Sequence, residues 1–393
     1  MTQRHLKSLF EAYYKKSAQA VYSAPGRTEI GGNHTDHQHG KVLAAAVDLV
    51  TEAAVSRNAD GVIRVKSEGY DYFEVDLKYL EPVSAERNTA AALVRGVASR
   101  IAALGHEVAG FDAYVVSSVL PGSGLSSSAA FEVLIGTIIN DLGGCGLSPV
   151  EIAQIGQYAE NVFFGKPCGL MDQTASAVGN MITIDFADTE KPIVKPIKVD
   201  FASFGHSLCI IDCGADHADL TDEYAAIPGE LKELCTLFGK SLLREIPEDD
   251  FLGHIAYLRK AAGDRAVLRA MHVYAENKRV DGEVKALESG DFDEFLRLVN
   301  ESGKSSWTLL QNITPTGSTA HQELAVTLAL CEKLLGGRGA CRVHGGGFAG
   351  TVQAFVPDDM LDGFRSGIEK FLGAGSCRVL SIRREGGIRE EQI

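Results

Sequence analysis

The 393-residue sequence favours an α+β fold in two domains. The chain is long for a single hydrophobic core. Its strand-like and helix-like segments come in mixed order rather than in strict alternation, which disfavours a doubly wound sheet. A polar, proline-bearing stretch over residues 185–200 interrupts the pattern near the middle and divides the chain into residues 1–200 and 201–393.

A helix is expected over residues 6–18, then the strand-like Ala20-Val21-Tyr22-Ser23 and a turn at Ala24-Pro25-Gly26-Arg27. Strands come next over residues 41–55 and 61–66. Residues 89–104 carry Leu93, Val97, Ile101 and Leu104 on one helical stripe. The valine-rich segment 111–119 reads as a buried strand, after which Ala130, Val133, Leu134, Ile138 and Leu142 recur at helical spacing until Gly143-Gly144 stops the helix. Ser148-Pro149-Val150-Glu151 is a capping box with proline at the first helical position. The helix it starts ends at Gly165, with Ile152, Ile155, Ala159 and Val162 facing a core and Glu160 off that stripe. A strand over 179–185 precedes the boundary. Beyond it come a strand over 207–213, several helices between residues 222 and 335, and a closing unit over 340–356.

The most informative stretch is Leu120-Pro121-Gly122-Ser123-Gly124-Leu125-Ser126-Ser127-Ser128-Ala129-Ala130, a Gly/Ser turn between an apolar strand and an apolar helix. Glycines let the backbone aim its N–H groups at one point and serines add hydroxyl donors. The helix N-terminus adds unpaired N–H groups and the positive end of a dipole. A phosphate fits there without a lysine. Gly239-Lys240-Ser241 and Gly303-Lys304-Ser305 look like P-loop ends, but Leu234 and Leu298 stand where the first glycine is required. Ser127 occupies the place of the third glycine of the dinucleotide fingerprint, which excludes that motif as well.

Three further segments are dense in chemistry. Pro25-Gly26-Arg27-Thr28-Glu29-Ile30-Gly31-Gly32-Asn33-His34-Thr35-Asp36-His37 is rich in polar side chains, Cys168-Gly169-Leu170-Met171-Asp172-Gln173 sets an acid amid small and apolar residues, and Arg342-Val343-His344-Gly345-Gly346-Gly347-Phe348-Ala349-Gly350 reads as a second backbone-donor loop. A zinc site on His34, Asp36, His37 and His39 is disfavoured, because the spacing is not a helical H-x-x-x-H and no cysteine motif accompanies it.

Composition bounds the partners. A hydrophobic fraction of 45% and a charged fraction of 23% describe an ordinary soluble globular protein. The formal net charge of −14 argues against nucleic acid or an anionic membrane surface, so a nucleotide site would rely on Mg²⁺ and backbone donors. Cys145, Cys168, Cys209, Cys213, Cys235, Cys331, Cys341 and Cys377 are scattered with no C-x-x-C pair, as expected of reduced cytoplasmic thiols. Residues 1–16 carry charge throughout, and no run approaches about 18 uninterrupted apolar residues, so neither a signal peptide nor a membrane anchor is expected.

Together the four segments resemble the small-molecule kinase superfamily that includes galactokinase, mevalonate kinase and homoserine kinase, and the galactokinase branch in particular. That branch carries G-R-x-N-L-I-G-E-H-T-D-Y, L-P-x-G-x-G-L-S-S-S-A-A, C-G-I-M-D-Q and G-G-G-F-G-G, and this chain has counterparts of all four, in order, over nearly its full length. The resemblance implies an ATP-dependent sugar 1-kinase with an N-terminal mixed-sheet domain, a C-terminal ferredoxin-like domain and ATP between them. It implies that Gly122, Ser123, Gly124, Leu125, Ser126, Ser127 and Ser128 wrap the nucleotide phosphates and that Ser128 and Glu160 hold Mg²⁺. Asp172 stands in the place of the catalytic base, with Arg27 stabilising charge beside it. Asn33, His34, Asp36, Gly169 and Tyr224 match sugar-binding positions, and Gly345, Gly346 and Gly347 form a supporting backbone loop.

One departure falls in the sugar loop. The family's N-L-I-G-E-H is Glu29-Ile30-Gly31-Gly32-Asn33-His34 here, so asparagine and glutamate have exchanged places. In galactokinases that glutamate helps bind the C6 hydroxyl. Either Glu29 compensates from nearby, or the C6 end accepts another group, such as the carboxylate of galacturonate. Galactose remains the expected sugar because His34, Asp36, Asp172 and Tyr224 are retained; N-acetylgalactosamine and arabinose are further alternatives. A non-catalytic sugar and nucleotide sensor is disfavoured by the intact Gly124 to Ala130 loop and by Asp172, and a mevalonate or homoserine kinase by the His34-Thr35-Asp36 loop. The stretch 311–318 departs from the family wording without a functional reading. The sequence leaves the oligomeric state open.

Overall fold

Two sheets share a boundary formed by the first strand. The computed structural model describes residues 2–119, 122, 124–199, 201–214, 220–348 and 350–390. Its strands are β1 (Ala20–Gly31), β2 (Lys41–Arg57), β3 (Val62–Ser67), β4 (Phe73–Asp76), β5 (Phe111–Ser117), β6 (Met181–Asp185), β7 (Ile193–Ile197), β8 (His206–Asp212), β9 (Ala340–His344), β10 (Thr351–Pro357), β11 (Cys377–Leu380) and β12 (Ile388–Arg389). Among the described residues the first sheet has eight strands in the order β12-β1-β2-β5-β3-β4, with β6 beside β2 and β7 beside β6. Only the β3–β5 pair in it is parallel among the described residues, so the sheet is mixed.

Helices α1 (Gln3–Tyr14), α2 (Ala90–Ala103), α3 (Ser127–Gly143), α4 (Pro149–Tyr158) and α5 (Met171–Val178) belong to this half. Val94, Val97, Ile101, Val133, Leu134, Ile138, Ile152 and Ile155 bury the faces of α2, α3 and α4 against Tyr22, Val55 and Val115 of the sheet. The capping box at Ser148 and Glu151 starts α4 as the sequence indicates. The regular stripe does not hold to Gly165: a π-helical turn over Ala159–Phe164 inserts a residue, leaving Val162 47% exposed and burying Phe163 and Glu160. A second difference lies at Pro25, where the sequence suggests a turn. Strand β1 runs straight through, and a register shift between Pro25 and Arg27 absorbs the missing N–H.

The second sheet is antiparallel in the order β11-β8-β10-β9. Helices α6 (Thr221–Thr236), α7 (Glu248–Gly253), α8 (Ile255–Ala261), α9 (Asp264–Ser289), α10 (Phe292–Ser305) and α11 (Glu323–Leu335) lie between β8 and β9, and α12 (Leu361–Leu372) between β10 and β11. Taken as strands one to four, that order is 4-1-3-2, the ferredoxin-like β-α-β-β-α-β arrangement. A shared apolar cluster joins the sheets, with Ile30, Leu43 and Met181 from the first meeting Leu208, Phe355, Val280 and Phe295 from the second sheet and its helices.

The chain then returns to where it began. Asn180 N–H donates to Arg383 O, Arg383 N–H donates to Ala46 O, and β12 pairs with β1. A cut at residue 200 therefore does not assign each sheet to one continuous piece of chain.

Candidate active site

Strand β1 delivers Arg27 into the space between the Gly/Ser loop and α5. Its Nε and Nη2 donate to the two carboxylate oxygens of Asp172, both at 2.7 Å, and Nη1 donates to Gly124 O at 2.5 Å. Ser126 Oγ adds a third donor to Asp172 at 2.7 Å. Ser126 holds a left-handed backbone (φ 59°) just before α3 begins, which is unusual for a non-glycine residue and fixes its hydroxyl toward Asp172. Burial alone would raise the Asp172 carboxyl, but the Arg27 charge and the hydrogen bonds outweigh it and hold the group below the usual aspartate range.

Of the expected phosphate-binding residues, Gly122 and Gly124 both take positive φ, at 76° and 73°. Leu125 is enclosed, and its carbonyl accepts from Arg27 N–H at 3.0 Å. Ser127 and Ser128 open α3; Leu120, Pro121 and Ser123 lie outside the described residues. Ser128 Oγ donates to Glu160 Oε1 at 3.1 Å, and Glu160 is only 3% exposed although the π turn that carries it lies near the surface. Lys166 Nζ stands 3.7 Å from the same oxygen.

The expected sugar residues are tied to the Gly345 to Gly347 loop and to one another. Asp36 opens a short 3-10 turn, and Gly169 passes so close that a Cβ there would strike Asp36 Oδ2. His34 Nε2 lies 2.9 Å from Gly346 O; burial and the neighbouring His37 lower its pKa to about 4, so the ring is neutral and donates to that carbonyl. Tyr224 OH donates to Gly347 O at 2.9 Å, and its ring stands edge-on to Phe348. The sequence presents the Gly345-Gly346-Gly347 loop as a source of N–H donors. Its contacts to the sugar loop and Tyr224 are made by carbonyls instead.

Asn33 lies deeper than the other expected sugar residues. Its sequence position implies a direct sugar contact, yet its side chain has no exposed surface and is turned inward. Its Nδ2 donates to Glu29 Oε1 at 3.0 Å and to Gly345 O at 2.7 Å, while its Oδ1 accepts from Ser306 Oγ at 3.2 Å and from Asn312 Nδ2 at 2.9 Å. The two exchanged residues thus touch each other. Glu29 is paired in turn with the fully buried Arg342, at 2.6 Å. The segment 311–318 acquires a structural role through Asn312, which also donates to Gly346 O at 3.1 Å.

Sequence reasoning missed Glu132, 1% exposed on α3. The available signal was an acid four residues after Ser128 amid Ala129, Ala130, Val133 and Leu134, since i and i+4 share a helix face. It also missed His344, whose neutral ring bridges Thr28 and Thr351 behind the Gly/Ser loop.

A guanidinium–carboxylate pair beside a Gly/Ser loop at a helix start is an arrangement that can serve transfer of a phosphoryl group to a small alcohol. Among the described residues no helix is long and apolar enough to cross a membrane. Two family models match the chain, GHMP kinases N terminal domain over residues 92–180 and galactokinase galactose-binding signature over residues 8–57. A Streptomyces coelicolor galactokinase is 33% identical over 370 residues, 94% of this chain and 93% of the relative. An Actinobacillus pleuropneumoniae galactokinase is 34% identical over 358 residues, 91% and 90% of the two chains. Among solved structures, Lactococcus lactis galactokinase complexed with galactose matches with TM-score 0.84 at 25% identity, covering 98% of this chain and 99% of the other. A mevalonate kinase shares the fold at 15% identity with TM-score 0.63, covering 93% of this chain and 99% of the other. With such identity sustained along nearly the whole of both chains, the protein belongs to the galactokinase family of GHMP kinases.

Proposed function

We propose that the protein transfers the γ-phosphoryl group of ATP to the anomeric hydroxyl of galactose, giving galactose 1-phosphate and ADP. The observation that carries this reading is the Arg27–Asp172–Ser126 junction, which ties a carboxylate to the Gly/Ser loop three residues after Gly169, the glycine packed on Asp36. The choice of galactose rests on the likeness to a galactokinase complexed with galactose and on the signature over residues 8–57.

In this reading Gly122 to Ser128 take the nucleotide phosphates through backbone N–H groups, hydroxyls and the N-terminus of α3. Ser128 and Glu160 would hold Mg²⁺, which when bound neutralises phosphate charge and aligns the oxygens. The donors fit: both are oxygens, and they lie within hydrogen-bonding reach of each other. Among the described residues no group of three or more His, Cys, Asp or Glu forms a cage, which suits an ion that keeps waters and phosphate among its ligands.

Asp172 orients the sugar hydroxyl. Because Arg27 holds its pKa low, it does not strip the alcohol in advance. It accepts the proton late, once bonding to phosphorus has made the hydroxyl acidic, as a loose transition state allows. Arg27 keeps Asp172 ionised and faces the phosphate side through Gly124, where charge accumulates. Asp36 accepts from neighbouring sugar hydroxyls, His34, Gly169 and Tyr224 frame the ring, and the Gly345 to Gly347 loop supports them. Asn33 acts from behind, fixing the loop rather than touching the sugar. The scattered cysteines, with no C-x-x-C pair, suit a reducing, cytoplasmic setting.

The test is ADP release from Mg·ATP with galactose, galacturonate, N-acetylgalactosamine, arabinose, glucose, mevalonate or no acceptor. Galactose is expected to give the strongest signal. Galacturonate turned over about tenfold better than galactose would reassign the sugar, and silence with every acceptor would remove the kinase reading. Asp172→Asn keeps the shape and removes the proton acceptor, so kcat should fall by roughly 10²–10⁴ with ATP affinity nearly unchanged. Near-normal turnover would take Asp172 out of that role.

A further inference from the structure

Behind the Ser128–Glu160 pair lies a cluster of buried polar groups to which the proposed reaction assigns no work. The amide nitrogen of Gln173 donates to Glu160 Oε2 and to Glu132 Oε2, each at 2.9 Å. All three side chains are enclosed, with Gln173 at 0% exposure, Glu132 at 1% and Glu160 at 3%. Two oxygens there, Glu132 Oε1 and Gln173 Oε1, have no hydrogen-bond partner among the described residues. The backbone of α4 seals the cluster at Gly156, where an added Cβ would lie 3.2 Å from Gln173 Cγ and 3.2 Å from Glu132 Oε2. Burying two carboxyl groups and an amide costs stability unless the arrangement serves something else.

The geometry points to Gln173 as the positioning residue that aims Glu160, with Glu132 as its anchor. A carboxylate on an irregular turn can rotate about its terminal bond. A donor on Oε2 fixes its plane and leaves Oε1 toward Ser128, where a cation between hydroxyl and carboxylate would sit. Outer partners orient the ligands of metal sites in this way. The second grip, on Glu132, uses the other N–H of the same amide and pins the glutamine. Glu132 can serve because it projects one helical turn beyond Ser128 on the same face of α3. Gln173 also directly follows Asp172 in the first turn of α5, so one short segment sets both the proton acceptor and the phosphate-side carboxylate.

This inference rests on the proposed Mg²⁺ seat at Ser128 and Glu160, and its test separates the two. Mn²⁺, which replaces Mg²⁺ and is seen by electron paramagnetic resonance, is titrated into the full-length protein with ADP present, alongside galactose KM and thermal unfolding. Gln173→Met keeps the volume and removes the donor. Mn²⁺ affinity should weaken by roughly 10- to 100-fold, while galactose KM stays near the wild-type value because Arg27, Asp172 and Asp36 keep their partners. A merely structural role would move galactose KM and the unfolding temperature together and leave Mn²⁺ affinity no worse than either. Should Gln173→Met fold poorly, Glu132→Leu removes only the anchor, with a loss near the low end, roughly tenfold. Wild-type Mn²⁺ affinity in a folded variant overturns the positioning role. If Glu160→Gln also binds Mn²⁺ as wild type does, the seat itself is wrong and the inference falls with it.

Discussion

Asn33 and Glu29 hold the two ends of one hydrogen bond, and Arg342 senses which end carries the charge. Asn33→Glu alone would press a second carboxylate against Glu29 in a site closed to water. Glu29→Asn alone would leave the fully buried Arg342 without its ion-pair partner, a loss of about 3–5 kcal/mol. The double exchange restores one carboxylate and one amide. Its loss of stability in denaturant should therefore be smaller than the sum of the two single losses, and strict additivity would show that the positions are uncoupled. The exchange itself is plain in the sequence; the contact is not, because it depends on a tight turn at Gly32, whose φ is 91°. Glu283 makes a second prediction. Both its oxygens are buried without hydrogen-bond partners among the described residues, and burial, then the nearby Glu276, push its pKa well above the ordinary glutamate value. As pH rises through that ordinary value, the unfolded chain gives up the proton while the folded protein keeps it, so stability falls up to the raised pKa. Glu283→Gln removes this slope. Relative to the wild type, the variant should gain in unfolding midpoint as pH rises above the ordinary glutamate range, and parallel curves would count against a neutral Glu283.

At the scale of elements, the π turn over Ala159–Phe164 explains both what the sequence conveyed and what it withheld. The capping box announced α4, and its apolar stripe is buried as spaced through Ile152, Ile155 and Ala159. One inserted residue then turned Val162 outward and Glu160 inward, and no local propensity marks that insertion. What holds it is packing against α2, where Gly96 lets the backbone of the turn approach. A Cβ at Gly96 would lie 2.7 Å from Ala159 Cβ and 2.8 Å from its Cα. Gly96→Val should therefore cost about 1–3 kcal/mol through overpacking and shift the turn that bears Glu160. The concentration of Mg²⁺ needed for half-maximal rate should rise more than galactose KM does. Equal changes in both would mean that the turn moves without carrying the carboxylate with it. The left-handed turns at Gly122 and Gly124 and the start of α3 at Ser127 were legible for the opposite reason: they are local, written in glycines, serines and an apolar helical run.

For the whole molecule, the feature hardest to read was closure. The sequence offers a polar stretch as a boundary and sets residues 201–393 apart as a separate unit, but strand β12 pairs with β1 from the far end of the chain, and local pattern carries no sign of such a partner. Arg383 Nη2 donates to Ser23 Oγ at 2.6 Å, Asn180 Nδ2 donates to Arg384 O at 2.9 Å, and Gly386 lies so close to the end of α5 that a Cβ would collide with the carbonyl of Ala177. The closing residues thus brace β1 and α5, the elements that bring Arg27 and Asp172 together. A chain ended at Leu380 keeps all four strands of the second sheet, so that sheet's core should persist. It should nonetheless unfold at lower temperature, and kcat with galactose should fall, because the strand and helix that hold the bidentate pair lose their outer support. Gly386→Ala is the finer probe: it wedges the same segment away from α5 without removing it and should lower kcat in the same direction by less. If the shortened chain and Gly386→Ala both retain wild-type kcat and unfolding temperature, the return of the chain is a surface attachment, and the geometry of the Arg27–Asp172 pair is set within residues 20–178 alone.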